Sequence, residues 1–446
     1  MQERRARFLQ GNLFRHITVM ALSASAGLIA VFLVDFVDIL FISMLGRDEL
    51  TAALGYSAAV LFFTTSIGIG MAIATSALVA RSLGAGDGWE ARQSATSALL
   101  IGAGVGVVFA VLVWANLGVI LTGLGAAGAV RDHAMAYLSI LVPSLPFLLV
   151  AMAGGAVLRA HGDARRAMLV QMVAALVNAV LDPIFIFGLK LDIVGAAMAS
   201  AIARAVMAAV ALWTIQRYHR GLARPVASRV LADLRPVMAI GGPALMTQMA
   251  SPIGQAYVTR AMADFGAEAV AGMAIITRTA PIAFAVIFAL SGAIGPIIGQ
   301  NFGARQGARV GRAYRDGLIF AALYTAAVSA LLYLLGGAIA DLFRAEGLTR
   351  RLVYLFCGPL ALLFWFNGAI FVSNAACNNL GRPLLSTLVN WGRNTVGTVL
   401  PVMLLAPAYG AIGVLVGQAI GGILFGVAAI FIARAVIRRQ TAGFPA

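Results

Sequence analysis

Twelve long apolar segments, separated by short polar connections, make up most of the sequence. They lie near residues 16–44, 54–80, 93–122, 133–157, 165–189, 193–215, 236–263, 268–298, 311–342, 350–374, 384–408 and 410–436. Each can form a helix that crosses the hydrocarbon core of a bilayer, which takes about 20 residues. Charged residues make up 11% of the chain, against about 25% in soluble domains. We therefore predict an all-α polytopic membrane protein with twelve transmembrane helices.

The connections alternate in basic charge. One set, which includes both termini, carries 22 arginines, and the other carries six arginines or lysines. Because basic loops stay in the cytoplasm, we expect a multi-pass protein of the inner (cytoplasmic) membrane with both termini cytoplasmic. The net charge of +15 is spread between the apolar segments. This spread argues for the lipid bilayer as a partner and against nucleic acid.

The second half of the sequence repeats the first. LVARSLGAGDGWEARQSA, from Leu78, resembles IIGQNFGARQGARVGRAY, from Ile297, and IVGAAMASAIA resembles AIGVLVGQAIG. We predict two pseudo-symmetric six-helix lobes, residues 1–220 and 236–446, joined by a cytoplasmic linker, 221–235. A shift of six helices preserves orientation, so the repeats are parallel, and the cleft between them is the expected substrate site for alternating access. A duplicated scaffold without a transport role is the alternative.

Three acidic residues lie deep in the predicted spans, all in the first half: Asp35, Asp38 and Asp182. Asp35 and Asp38 share a helix face at a spacing of three residues, and Asn178 shares a face with Asp182 at a spacing of four. Asp38, Asp182 and Ser200 each lie about seven residues from the outer end of their span. At 1.5 Å per residue, this places them about 10 Å below the outer surface. We therefore expect Asp38, Asn178, Asp182 and Ser200 to meet.

Pro183 follows Asp182 directly. It cannot donate a hydrogen bond to the carbonyl of Ala179, so the fifth helix should bend there and free that carbonyl. A free carbonyl beside a carboxylate is a suitable place for an ion or a proton.

A charged carboxylate in the hydrocarbon costs at least about 2.5–3.5 kcal/mol. Desolvation and a like-charged neighbour both favour the protonated form of a carboxyl group. The acids could therefore hold and release a proton, or Asp38, Asp182 and Asn178 could bind Na⁺. For each acid the alternative is a structural hydrogen bond, and Asp35 could instead face an interior gap.

The second half lacks these acids. Asp38 corresponds to Val258, Asp182 to the region of Leu400, and Ser200 to Gln418. The cation site is therefore predicted in the first lobe alone.

Candidate substrate contacts come from other polar and flexible side chains. Gln248, Arg278 and Asn374 lie in predicted spans of the second half. An arginine inside a span needs a polar partner or water, so Arg278 could pair with backbone carbonyls instead of substrate. Met152 is a candidate for an adaptable apolar pocket, with ordinary packing as the alternative.

Five motifs follow one another along the chain: VDILFISMLG, LVARSLGAGD, VLRAHGDARRA, NAVLDPIFIFG and GAAMASAIA. In this order and spacing they resemble the multidrug and toxic compound extrusion (MATE) transporters, in particular the DinF-like branch, and the resemblance covers essentially the whole chain. It implies cation-coupled export of small amphipathic or cationic compounds.

The resemblance also assigns roles to residues. Asp38 matches the family's first-helix aspartate, Asn178 and Asp182 match the fifth-helix pair, and Tyr137 matches a fourth-helix tyrosine. Ser200 stands where the family has a hydroxyl residue, and Asp35 is additional. Gly155 replaces a polar residue of the family, which puts part of its polar network in doubt.

These inferences together predict a monomeric antiporter, not an enzyme, with H⁺ or Na⁺ as its coupling ion and no other cofactor. One alternative is a flippase of related fold for lipid-linked precursors. Another is an intramembrane aspartyl enzyme that uses Asp38 and Asp182, although the GxGD motif of such proteases is absent around both.

The charge bias predicts which loops face the cytoplasm. Single cysteines placed at Ala85 or Ala223 should react with a membrane-impermeant thiol reagent only from the cytoplasmic side. A cysteine at Gly266 should react only from outside. The reverse pattern at all three sites would contradict the predicted orientation.

Overall fold

The computed structural model describes residues 6–445, apart from the side chain of Asp35, and almost all of these residues are helical. No strand occurs within this range. The α-helices are α1 (Leu13–Ser43), α2 (Asp48–Gly84), α3 (Gly88–Ala115), α4 (Leu117–Gly123), α5 (Gly128–Leu141), α6 (Leu145–Ala160), α7 (Ala164–Pro183), α8 (Asp192–Thr214), α9 (Ala227–Ala263), α10 (Ala267–Ala283), α11 (Ala285–Gly303), α12 (Gly307–Leu342), α13 (Gly347–Leu355), α14 (Ala361–Leu363), α15 (Trp365–Asn379), α16 (Pro383–Asn394) and α17 (Val396–Thr441).

The predicted spans correspond to these helices. By length and composition, nine helices of the described chain could cross a membrane, or ten if the bent pair within 347–379 is one span. The predicted spans 384–408 and 410–436 both lie in the 59-residue stretch Pro383–Thr441. Non-helical backbone at Gly410 (φ 61°, ψ −142°) divides that stretch. The predicted span 236–263 lies in α9, which is less apolar.

Left-handed backbone recurs at matching places in the two halves. The pairs, each related by the register of the sequence repeat, are Gly46 and Gly266, Gly86 and Arg305, Gly125 and Arg344, Gly128 and Gly347, Gly162 and Gly381, and Lys190 and Gly410. Positive φ is uncommon outside glycine and marks tight turns. The sequence repeat is therefore also a repeat of turns between helices.

Contacts group the helices into two compact units. One unit contains residues 26–245, and the other contains 6–25 together with 246–445. Consequently α1 contributes its first part to one unit and the rest to the other, and α9 is divided at the corresponding place. The predicted limits at 220 and 236 follow the linker between the repeats instead, and they remain a prediction.

The segment that precedes α1 and the first turn of α9 are held by corresponding helix connections. The Phe8 N–H donates to Gln300 Oε1 (2.9 Å), and Arg309 Nη2 donates to the Phe8 carbonyl (2.9 Å). In the other unit, Arg229 forms an ion pair with Glu90. Glu90 and Arg309 occupy the same position in the two similar segments that begin at Leu78 and Ile297. The start of each repeat is therefore held by the corresponding loop-and-helix segment of the other repeat.

Asp163 joins the α6–α7 connection to the end of α8. Its carboxylate accepts from the Arg166 N–H (3.2 Å) and from His219 Nε2 (2.9 Å), and it also pairs with the Arg166 guanidinium. Burial alone would raise the pKa of Asp163, but the bonds from His219 and Arg166 outweigh it and hold that pKa well below its usual range. This junction therefore adds stability above the ordinary carboxyl pKa and loses it only on strong acidification.

The predicted disturbance at Pro183 takes the form of a widened turn. After Pro183 the chain continues as one turn of π-helix, Ile184–Gly188, in which the Leu189 N–H donates to the Ile184 carbonyl (2.8 Å). Such turns often occur at functional sites. Gly195 of α8 lies against this turn: an added Cβ would be 2.8 Å from the Phe185 carbonyl carbon.

Gly195→Ala should therefore force α8 away from the π-turn. We expect a loss of stability of about 1–3 kcal/mol, as for other overpacked contacts. Gly104→Ala is a matched control, because nothing lies within 4 Å of its added Cβ. That change should be neutral or stabilising by up to about 1 kcal/mol. Thermal unfolding in detergent measures both, and equal effects would contradict the close approach.

Candidate cation-coupling site

Three helices bring the predicted coupling residues together within the unit of residues 26–245. α1 supplies Asp38, α7 supplies Asn178 and Asp182, and α8 supplies Ser200. Asp182 is fully buried (0% exposed) and Asn178 is 3% exposed. Asp38 and Ser200 are half-buried. The four residues that the sequence predicts at one depth therefore lie together in the structure.

Asn178 lies at the centre of this cluster. One orientation of its amide satisfies every neighbour. In that orientation the nitrogen donates to Asp38 Oδ1 (3.1 Å) and to Asp182 Oδ2 (3.3 Å), and the oxygen accepts from Ser200 Oγ (3.2 Å). A single amide thus joins residues from all three helices.

The carboxyl groups of Asp38 and Asp182 both lie within reach of the Asn178 amide nitrogen, at 3.1 Å and 3.3 Å, and are close enough to interact with each other. Two carboxylates have only acceptors, so a hydrogen bond between them would need a proton on one of them. Asp182 Oδ1 is buried, and no N–H or hydroxyl group of the described residues donates a hydrogen bond to it. A proton on this pair would supply the missing donor and remove one of two adjacent negative charges.

The fifth predicted residue, Asp35, has its backbone in α1, but its side chain lies outside the described residues. Its role stays a prediction.

The corresponding place in the second half carries neutral amides. Gln418, the counterpart of Ser200, donates to Gln255 Oε1 (3.4 Å), and Val258, the counterpart of Asp38, is buried. Gln255 corresponds to Asp35 in the register that pairs Asp38 with Val258. Amide side chains do not ionise near neutral pH, so this pair joins its helices without a titratable group.

The predicted substrate residues have varied environments. Tyr137 is buried, and Met152 packs its sulfur against Gly68, both in the unit of residues 26–245. In the other unit Gln248 is half-buried, Asn374 is buried and Arg278 is exposed beside a cavity. Their assignment to a substrate site stays a prediction.

Arg204 is a polar residue of the spans that sequence reasoning missed. It lies one helical turn beyond Ser200 on α8, and its Nη1 donates to the Leu141 carbonyl (3.3 Å) and to Ser144 Oγ (3.1 Å). These acceptors lie where α5 gives way to a short 3₁₀ turn before α6. The signal was available, because an arginine inside an apolar segment needs polar partners.

Comparison with known proteins identifies the class. The MatE family profile matches residues 24–184 and 243–403, one match in each repeat. The chain is 27% identical to the FAD transporter of Shewanella oneidensis over 438 residues, covering 94% of this chain and 93% of the relative. It is 29% identical to the probable multidrug resistance protein NorM of Pseudomonas aeruginosa, covering 86% and 82% respectively.

Solved structures share the fold. The Vibrio cholerae MATE transporter VcmN in the bent form superposes with a TM-score of 0.91 at 25% identity, covering 97% of this chain and 99% of that chain. An outward-facing multidrug resistance MATE transporter of the MOP superfamily gives a TM-score of 0.90 at 22% identity, covering 99% and 100%.

The protein is similar to transporters over almost its whole length, and it is itself a multi-pass membrane transporter and not an enzyme. Its fold has twelve transmembrane helices in two lobes. The chain belongs to the MatE family of MATE transporters. The DinF-like branch remains a prediction.

Asn178→Ala tests the central amide. It removes the donor shared by Asp38 and Asp182, so we expect a loss of about 1–3 kcal/mol in stability at neutral pH. The loss should shrink at acidic pH, where protons supply donors to the same carboxyl oxygens. Ser200→Ala is the control, because Asn178 keeps both carboxyl bonds, and its smaller effect should not vary with pH. Thermal unfolding at two pH values measures both, and an equal loss for Asn178→Ala at both would contradict the arrangement.

Proposed function

We propose that this protein is a proton-coupled antiporter that exports small amphipathic or cationic organic compounds by alternating access. It acts as a monomer in the inner membrane, with both termini in the cytoplasm. The basic loops of the sequence support this orientation. MatE membership favours export over the flipping of lipid-linked precursors.

The observation that carries the proposal is the close approach of the carboxyl groups of Asp38 and Asp182 around the amide of Asn178. In this cluster one proton would stabilise the buried Asp182 beside the half-buried Asp38, and it would be lost only if the helices rearrange or another cation approaches. Release of that proton leaves two like charges beside each other in a low-dielectric interior. Such a pair exchanges a proton in step with a conformational change, which is what antiport requires.

The amide of Asn178 can serve either coupling ion. With its nitrogen toward Asp38 and Asp182 and its oxygen toward Ser200, it donates to both carboxyl groups and suits a protonated pair. In the opposite orientation the nitrogen donates to Ser200 Oγ (3.2 Å) and the oxygen faces the carboxyl groups, as Na⁺ would need. Our choice of H⁺ therefore rests on the two neighbouring acids and not on the amide.

Export of FAD is a second candidate activity. The Shewanella oneidensis relative named FAD transporter aligns over almost the whole chain. Arg278 and Arg344 line one cavity and present positive charge suited to an anionic compound. Liposomes loaded with FAD or with fluorescent organic cations distinguish the two substrate classes in one assay.

Asp38→Asn and Asp182→Asn should each abolish export driven by a pH gradient in liposomes. The amides keep the size and much of the hydrogen bonding of the acids but cannot exchange a proton. Both variants should still fold, because a buried charge is removed. Asp35→Asn should reduce export less. If Asp182→Asn still exports fully under a pH gradient, the carboxyl group of Asp182 is structural and the proposal is wrong. If a Na⁺ gradient alone drives export by the wild type equally well, sodium is the coupling ion.

A further inference from the structure

A cavity of about 340 Å³ lies in the unit that contains residues 246–445, on the side predicted to be extracellular. One wall is a face of α10 that ends at Arg278. The other is the connection between α12 and α13, with Phe343, Arg344 and Glu346. We call this cavity the α10 groove. Its volume suits a small polar group with its attached chain.

The α10 groove has charged side chains without partners. Arg278, Arg344 and Glu346 form no hydrogen bond or ion pair through their side chains with the described residues. Arg278 lies eleven residues into α10, about 16 Å along the helix. A guanidinium group at that depth in a transmembrane helix normally has a polar partner. The partner of Arg278 therefore has to come from outside the described chain.

The first half of the chain has no charged residues at the positions that correspond to Arg278, Arg344 and Glu346. In the register that pairs Arg344 with Gly125, Arg278 corresponds to Ala59 and Glu346 to Ala127. The turn at Gly125 has a φ of 91°, which glycine adopts without strain. Arg344 occupies the same turn with a φ of 48°, where a side chain is strained. A strained position that carries an unpaired arginine suggests a role for the side chain itself.

The walls of the α10 groove are held in place by packing and hydrogen bonds. Gly272 of α10 lies against Leu352 of α13, where an added Cβ would be 2.8 Å from Leu352 Cδ1. Thr349 Oγ1 donates to the Glu268 carbonyl (2.8 Å), and the Leu348 N–H donates to Glu268 Oε2 (2.8 Å). The arginines therefore project from a fixed frame.

We propose that the α10 groove binds a phosphate oxyanion, carried either by a phospholipid headgroup or by a soluble phosphate ester. Both arginines line the same cavity, and guanidinium groups bind phosphate oxygens through charge-assisted hydrogen bonds. Ile275 and Phe343 provide apolar surface for the chain attached to the phosphate. Glu346 opposes anion binding and sets the affinity below that of the two arginines alone. This binding is independent of proton coupling at Asp38 and Asp182.

The test uses the full-length protein purified in detergent. Isothermal titration with short-chain phosphatidylglycerol probes the lipid source, and titration with glycerol 3-phosphate probes the soluble source. We expect binding of at least one probe to weaken about tenfold or more in Arg278→Gln and in Arg344→Gln, since each removes charge-assisted bonds. Glu346→Gln should bind the same probe more tightly than the wild type. Arg351→Gln, which changes the same charge outside the groove, should bind like the wild type.

The pattern of binding decides between outcomes. Binding of the lipid alone assigns a headgroup, and binding of glycerol 3-phosphate, with or without the lipid, assigns a soluble ester. Thermal unfolding without added probe checks that each variant is folded. If neither probe binds, or if Arg278→Gln, Arg344→Gln and Glu346→Gln all bind like Arg351→Gln, the groove is not an oxyanion site.

Discussion

A fully buried carboxyl group beside a second carboxyl group is stable only if it takes up a proton or finds strong donors. Asp182 lies beside the half-buried Asp38, and the amide of Asn178 is within reach of both. Because these residues come from α1 and α7, and Ser200 from α8, the protonation state of the pair bears on how three helices pack. The π-turn directly follows Asp182 and Pro183, and Gly195 of α8 packs closely against it.

The two repeats share a frame and differ in chemistry. Left-handed turns recur at equivalent positions of the two repeats, so the helices begin and end at equivalent places. The deep acids occur only in the first repeat, where the second has Val258 and Gln418. The charges of the α10 groove occur only in the second, where the first has alanine or glycine. After duplication, a frame held by turns and glycine contacts tolerates different charged groups in each copy.

Sequence periodicity was sufficient to predict the helices and the acid cluster, because spans of known length fix both the depth and the face of Asp38, Asp182 and Ser200. Other features depend on tertiary contacts that no local pattern encodes. The bonds of Arg204 to the break between α5 and α6 need the fold to be known, and so does the pairing of Gln255 with Gln418. The division of α1 between the two units also escaped prediction, because an apolar helix does not reveal which neighbours it contacts.

The central claim is that Asp38 and Asp182 hold one exchangeable proton that transport displaces. The most direct measurement is proton release from the purified protein in a weakly buffered detergent solution on addition of a transported compound. The account predicts release of about one proton per molecule from the wild type, and none from the variant with asparagine at position 38 or at position 182. Undiminished release from either variant, with substrate binding intact, would place the coupling proton elsewhere.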